Sequence, residues 1–189
     1  MPRDGFPYSG SESARVADFA APSVGTLEQK LTQWFELLRE PIYFYLLVVL
    51  RSPEEAEDLT QDTFLQLYKT LQAGQSIQQP RAWLFRVAHN LALNRRKQVS
   101  HLQPALTWEE IVALLPDPSP NPEQAALRRE AFRRLHAAMA FLSVQEEQCL
   151  QLRVEGFRYR EIADILGVSV PSVAEYVRRA IQKLSRHTL

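Results

Sequence analysis

The chain has 189 residues, 46% of them hydrophobic, and its 22 basic and 22 acidic side chains cancel to a formal net charge of zero. That length suits one or two domains, and the balance excludes a uniformly basic nucleic-acid coat. A single cysteine, Cys149, excludes an internal disulfide and suits a reducing compartment.

The longest apolar run, residues 42–50, is too short to span a bilayer, and the N-terminus lacks the basic-then-apolar pattern of a signal peptide. A cytoplasmic protein without membrane insertion is expected. Residues 1–25 mix Gly, Pro, Ser and scattered charge without a period, which predicts a flexible arm. Thr26 can cap a helix to about Arg39, with Leu27, Leu31, Trp34, Leu37 and Leu38 inward. Pro41 is expected to break or restart it, and Ile42 to Arg51 then forms a helix apolar nearly all round, which belongs in a core.

Ser52-Pro53-Glu54-Glu55 is a helix start: Ser52 caps, Pro53 takes the first position and Glu55 can complete a capping box. The helix is expected to run to Gln72, with Ala56, Leu59, Thr63, Phe64, Leu67 and Leu71 inward. Five acids and no base fall between Glu54 and Asp62, and Asp58, Gln61 and Asp62 project to one side. A polar loop, Ala73 to Gln79, holds Gly74 and leads to a helix from Pro80 to about Lys97. Trp83, Leu84, Val87, Ala88, Leu91 and Ala92 form its apolar stripe. Its outer side carries Arg81, Arg86, His89, Asn90, Asn94, Arg95 and Arg96, and the segment has five bases and no acid. The place of Trp83 on the stripe favours core packing over a base-stacking platform.

Residues 99–122 read as a linker, free of Lys and Arg and closed by the Pro-rich run PDPSPNPE. A helix from Glu123 or Gln124 to about Phe141 follows. Ser143 and Glu146 form a second capping box, opening a helix to about Val154 with Val144, Cys149, Leu150 and Leu152 inward. Phe157 to Leu184 then reads as two short helices joined by a tight turn at Gly167, with Ser169 capping the second and Pro171 in its first turn. Val170, Val173, Val177, Ala180, Ile181 and Leu184 should face inward, and Ser172, Glu175, Arg178, Arg179, Gln182 and Lys183 outward. A helix–turn–helix with arginines on its outer face is a DNA-reading unit, although the bare motif also fits an ordinary helical hairpin. From Arg128 onward there are eleven bases against seven acids. The expected fold is all-α: two small helical domains, residues 26–98 and 123–189, joined by a flexible linker.

The four histidines lack metal-ligand spacing, and nothing resembles a catalytic triad or phosphate loop, so no cofactor and no enzymatic activity are expected. Cys149 sits in an apolar helical pattern and reads as a buried small hydrophobe.

Three runs carry a family resemblance. SPEEAEDLTQDTFLQLYKTL and PRAWLFRVAHNLALNRRK resemble region 2 of bacterial sigma factors, and EGFRYREIADILGVSVPSVAEYVRRAIQKL resembles region 4. Their order, spacing and acidic linker are similar to the short extracytoplasmic-function subfamily from about Leu27 to Leu184. The resemblance implies an initiation subunit of RNA polymerase. Region 2 would dock on core polymerase through Asp58, Gln61 and Asp62 and open DNA at the −10 element. Arg81, Arg86, Asn90, Asn94, Arg95, Arg96 and Lys97 would contact that DNA, with the Gly74–Gln79 loop housing an unstacked base. Region 4 would read the −35 duplex with Ser172, Glu175, Tyr176, Arg178, Arg179 and Lys183. The partners implied are core RNA polymerase, promoter DNA and, in principle, an anti-sigma factor.

The chain departs from the family at several positions. Asn94 stands where members often carry Asp. Ala174, Glu175 and Tyr176 stand where Lys or Arg and Ser are common, so Glu175 is either a cytosine contact or a source of weaker binding. Arg158 replaces the usual Ser or Thr cap, which predicts a weaker helix start. Two other readings stay open: a polymerase-independent helix–turn–helix regulator, and a protein-only adaptor that has lost DNA contact. The segment 98–127 can reach roughly 100 Å when extended. It can hold two weak DNA readers several turns apart, and polymerase would make the second contact intramolecular.

Overall fold

The computed structural model describes residues 26–99 and 137–187, together with Thr107 and Glu110. The expected arm, the linker and most of the helix expected at 123–141 lie outside the described residues. Among the described residues every regular element is helical, as an all-α fold requires. The main helices are α1 (Leu27–Leu50), α2 (Pro53–Gln72), α3 (Pro80–Val99), α4 (Val144–Val154), α5 (Tyr159–Leu166) and α6 (Val170–His187).

Thr26 and Gln29 close a reciprocal capping box at the start of α1, with bonds of 3.3 and 3.0 Å. Pro41 does not break this helix, contrary to expectation. A proline inside a helix costs ~3 kcal/mol, but Trp34, Leu38, Ile42, Tyr45 and Leu46 are buried on both sides of it. Each such side chain contributes about 1.5–3 kcal/mol, so together they outweigh the break. Leu37, expected inward, is 53% exposed, because the buried stripe runs through Trp34, Leu38 and Ile42 and Leu37 lies off it. The helix ends at Arg51, in the left-handed region at φ 59°.

Ser52 accepts from the Glu55 amide at 3.4 Å and Pro53 opens α2 as expected. The Glu55 carboxylate does not complete a capping box; it is drawn to Arg95 at 2.6 Å. Ala56, Leu59, Thr63, Phe64 and Leu67 are buried as predicted, joined by Thr60. The Thr60 and Thr63 hydroxyls donate to carbonyls four residues back, each at 2.7 Å, so neither is left unsatisfied.

α3 packs against α1 and α2 through Leu84, Phe85, Ala88 and Ala92. His89, expected on its outer side, is instead buried at 3% exposure, and its Nδ1 lies 2.8 Å from the Tyr45 hydroxyl. Burial pushes the imidazole pKa down to about 4, so it is neutral at ordinary pH.

The Ser143–Glu146 capping box forms as predicted. Cys149 and Leu152 are buried in α4, whereas Val144 remains 41% exposed at its first turn. Burial raises the Cys149 thiol to about 11, which fits a packing role. α5 starts without a side-chain cap from Arg158, in line with the substitution there; Glu161 reaches back to the Arg158 amide at 2.7 Å. Gly167 ends α5 at φ 67°, a geometry any side chain would strain. Ser169 accepts from the Ser172 amide at 3.2 Å and starts α6. Val173, Val177 and Ala180 face inward, but Val170 and Ile181, both expected inside, are 41% and 55% exposed because they flank that stripe.

The two halves do not stand apart. α3 packs on α5 and α1 on α4, and one continuous hydrophobic core includes Tyr45, Phe85, Phe157 and Ile162.

Candidate nucleic-acid interface

Three surfaces carry the residues singled out by sequence. The first is the outer face of α2. Asp58, Gln61 and Asp62 are exposed and, among the described residues, make no hydrogen bond or ion pair. Their neighbours differ: Glu55 is held by Arg95 and Glu57 by Arg39, at 2.6 and 2.8 Å. The helical spacing therefore leaves one cluster of acceptors unengaged, a surface suited to a basic partner.

Sequence periodicity missed the apolar part of this face. Leu65 and Tyr68 are 47% and 37% exposed on α2, and Phe35 is 40% exposed on α1, edge-on to Phe64 at 4.9 Å. Leu65 follows Gln61 by four residues and Asp62 by three, so it shares their face. A neighbouring helix–helix geometry, invisible to a single helical period, decides that these side chains stay outside.

The second surface is α3. Arg86, Asn90, Asn94 and Lys97 are exposed and spaced to form one stripe of two cations and two amides. The other predicted cations are directed elsewhere. Arg95 bonds Glu55. Arg96 lines a small cleft with Arg51 and Glu147. Arg81 is turned to the second half of the molecule, where it meets Glu155 and Phe157. Burial lowers its pKa, against the opposing charge of Glu155. Beside the stripe, the Gln75–Gln79 loop, Trp83 and Arg86 line a cleft of about 330 Å³, which Glu161 and Asp164 of α5 also line. Trp83 is half-buried, so it packs on the core and still reaches this cleft.

The third surface is α6. Glu175 accepts from Arg178 Nε and Nη2 at 2.9 and 2.7 Å and from Arg179 Nε at 2.6 Å. Those bonds, Arg178 first, hold the Glu175 carboxyl well below the usual range. Glu175 is thus engaged with its own helix. Tyr176 is half-buried against the core, and the Ser172 hydroxyl lies 2.7 Å from that of Ser169. Lys183 is not a free cation: its Nζ lies 2.6 Å from Glu146, whose carboxylate is nearly buried. Among the described residues no cluster of potential metal ligands occurs. No described helix is long and apolar enough to cross a membrane.

Residues 34–101 match the model for Sigma-70 region 2, and residues 132–184 match that for Sigma-70, region 4. The chain is 30% identical over 135 residues to the ferric citrate uptake sigma factor FecI of Escherichia coli, covering 70% of this chain and 76% of that one. It is 29% identical over 161 residues to the ECF RNA polymerase sigma factor SigE of Mycolicibacterium smegmatis, covering 82% of this chain and 61% of that one. Its fold is similar to that of the sigma factor RpoE of Bartonella quintana, solved in complex with the anti-sigma factor NepR, with a TM-score of 0.64. That likeness comes at 18% identity and covers 84% of this chain and 96% of the other.

Proposed function

The chain belongs to the extracytoplasmic-function branch of the sigma-70 family and is an RNA polymerase sigma factor, and from that premise we propose how its surfaces divide the work. The α2 face of Asp58, Gln61 and Asp62, with Leu65 and Tyr68 beside it, docks on core polymerase. The α3 stripe of Arg86, Asn90, Asn94 and Lys97 holds the −10 strand, with the Gln75–Gln79 cleft taking an unstacked base. Arg178 and Arg179 of α6 contact the −35 duplex. The chain supplies promoter choice and no chemistry of its own, and it acts in the cytoplasm with the polymerase. An anti-sigma factor is a further partner, as NepR is of RpoE.

One observation carries this reading: the carboxylates of Asp58 and Asp62 stay unengaged while Glu55 and Glu57 of the same helix are paired. Exposed ion pairs are worth little, so carboxylates left to solvent are common; what favours a partner here is that these acids can be engaged without first breaking an ion pair. Run-off transcription with purified core polymerase on a random promoter library tests the proposal. Start sites specific to the added chain support it. Unchanged start sites, or sequence-specific DNA binding that needs no polymerase, favour an independent regulator.

A further inference from the structure

The bonds that Glu175 makes along α6 are shared unevenly between its two arginines. Glu175 Oε2 accepts from Arg178 Nε at 2.9 Å, and Oε1 accepts from Arg178 Nη2 at 2.7 Å. Arg179 reaches the same carboxylate through Nε alone, at 2.6 Å to Oε1. A carboxylate offers about four acceptor sites, so these contacts nearly fill it. Both partners lie one turn further along the same helix.

A guanidinium is a planar fork with donors along more than one edge. Arg178 is gripped along a whole edge, Nε together with Nη2, and two bonds on one planar group fix its plane and its direction. The end-on edge, Nη1 with the second hydrogen of Nη2, is not used by Glu175, and the side chain is 61% exposed. That edge presents two parallel donors, the pattern that fits O6 and N7 of guanine in the major groove. Arg179 is held by Glu175 at one atom, so its guanidinium can swing about that bond. Such a group suits a phosphate oxygen, which makes no demand on direction, better than a base edge.

The charge of the trio acts the same way. Two cations and one carboxylate leave a single net positive charge on this part of α6. Non-specific binding is set by the phosphates neutralised, so a wrong sequence gains little from this surface. A duplex with guanine at the right place gains both donors of Arg178 at an orientation already set, and a side chain already held loses less freedom on binding. Discrimination is a difference between right and wrong partners, and the carboxylate widens it from both sides.

We propose that Glu175 is a specificity-determining positioning residue for the −35 element: it aims Arg178 at guanine in the major groove and leaves Arg179 to phosphate. The proposal rests on the assignment of α6 to the −35 duplex and names which of its arginines reads sequence. It gives the departure from the family pattern at Glu175 a use in base choice.

Selection from a duplex library randomised across the −35 region, with the full chain bound to core polymerase, tests it. The three side chains are between 39% and 61% exposed, so the fold does not depend on them. The wild-type complex should prefer guanine at one position at least tenfold. Glu175→Gln should cut that preference to threefold or less while recovery of sequences lacking the guanine rises. Removing a charge alone shifts the affinity for every sequence alike, so the ratio separates aiming from electrostatics. Arg178→Lys keeps the charge without the fork and should lose the preference as well. Glu175→Gln added to Arg178→Lys should then change the preference by less than twofold, because the two residues act as one unit. Arg179→Lys should leave the preference in place. A guanine preference that survives Glu175→Gln overturns the proposal. So does a wild-type complex without a guanine preference, or a Glu175→Gln variant that loses a preference for cytosine instead. Run-off transcription with the same proteins separates the two readings. New start sites with base choice indifferent to Glu175 remove only this proposal, whereas unchanged start sites and no selected −35 sequence remove both.

Discussion

Glu175 and Arg178, one turn apart on α6, share a bidentate contact at 2.9 and 2.7 Å, and Arg179 adds a third bond to the same carboxylate. The helix that would read DNA therefore neutralises part of its own positive charge. Replacing Glu175 by Gln keeps the size and removes the charge. Duplex affinity of the polymerase-bound protein should rise several-fold, and the slope of log affinity against log salt should steepen by about one. Filter binding across a salt series measures both. Weaker binding, confined to sequences with cytosine at one position, would instead make Glu175 a base contact. Its carboxyl is held far below the usual range, so mild acid should not mimic the substitution.

The buried Tyr45–His89 pair predicts acid sensitivity. The folded-state imidazole pKa is about 4, against an ordinary 6.5. Between those values the unfolded chain binds the extra proton and the folded chain does not. Stability is therefore full above about pH 6.5, falls as pH drops toward 4, and levels off below that. The loss is about 3 kcal/mol in order of magnitude. Urea unfolding at pH 7.5 and 4.5 measures it. His89→Gln should shrink the difference while costing about 1–3 kcal/mol at pH 7.5 for the disturbed bond to Tyr45.

Asp58→Ala with Asp62→Ala should leave the melting temperature nearly unchanged, because both residues are exposed and unpaired among the described residues. Surface changes of that kind usually stay within about 0.5 kcal/mol. Co-elution with core polymerase should be lost. A large drop in melting temperature would make these acids structural.

Lys183 has two assignments that a melt can separate. Burial works against ionisation of Glu146, but Lys183 and the Ser143 amide outweigh it and hold the carboxyl below the usual range. Lys183→Met leaves that nearly buried carboxylate without its cation. The expected cost is roughly 1–3 kcal/mol, less than for a fully buried pair because Lys183 is 38% exposed. Thermal unfolding should register the change before DNA binding does. An unchanged melt with reduced −35 affinity would return Lys183 to the DNA-contact set.

The helices were legible because their punctuation is local. Ser52-Pro53, Ser143 with Glu146, Gly167 and Ser169 each act within a few residues, and all four appear in place. Pro41 misled because its cost is local while the burial that overrides it is not. The face of α3 was blurred for a related reason. α3 packs on α1 and α2 on one side and α5 on another, so Phe85 and His89 join its buried surface and only a narrow polar stripe remains. The exposure of the acidic patch on α2 was legible as a spacing, but its apolar border at Leu65 and Phe35 depends on where neighbouring helices stop. The packing of the two halves on one another had no sequence signal: Arg51 and Glu147 are 96 residues apart, and no period links them.

Arg51 joins two of these themes. It turns the corner after α1 at φ 59°, which glycine adopts without strain and arginine does not. The same residue reaches Glu147 in the other half. A glycine here would relax the corner and forfeit the grip. One side chain thus sets the turn from α1 into α2 and also ties that turn to α4.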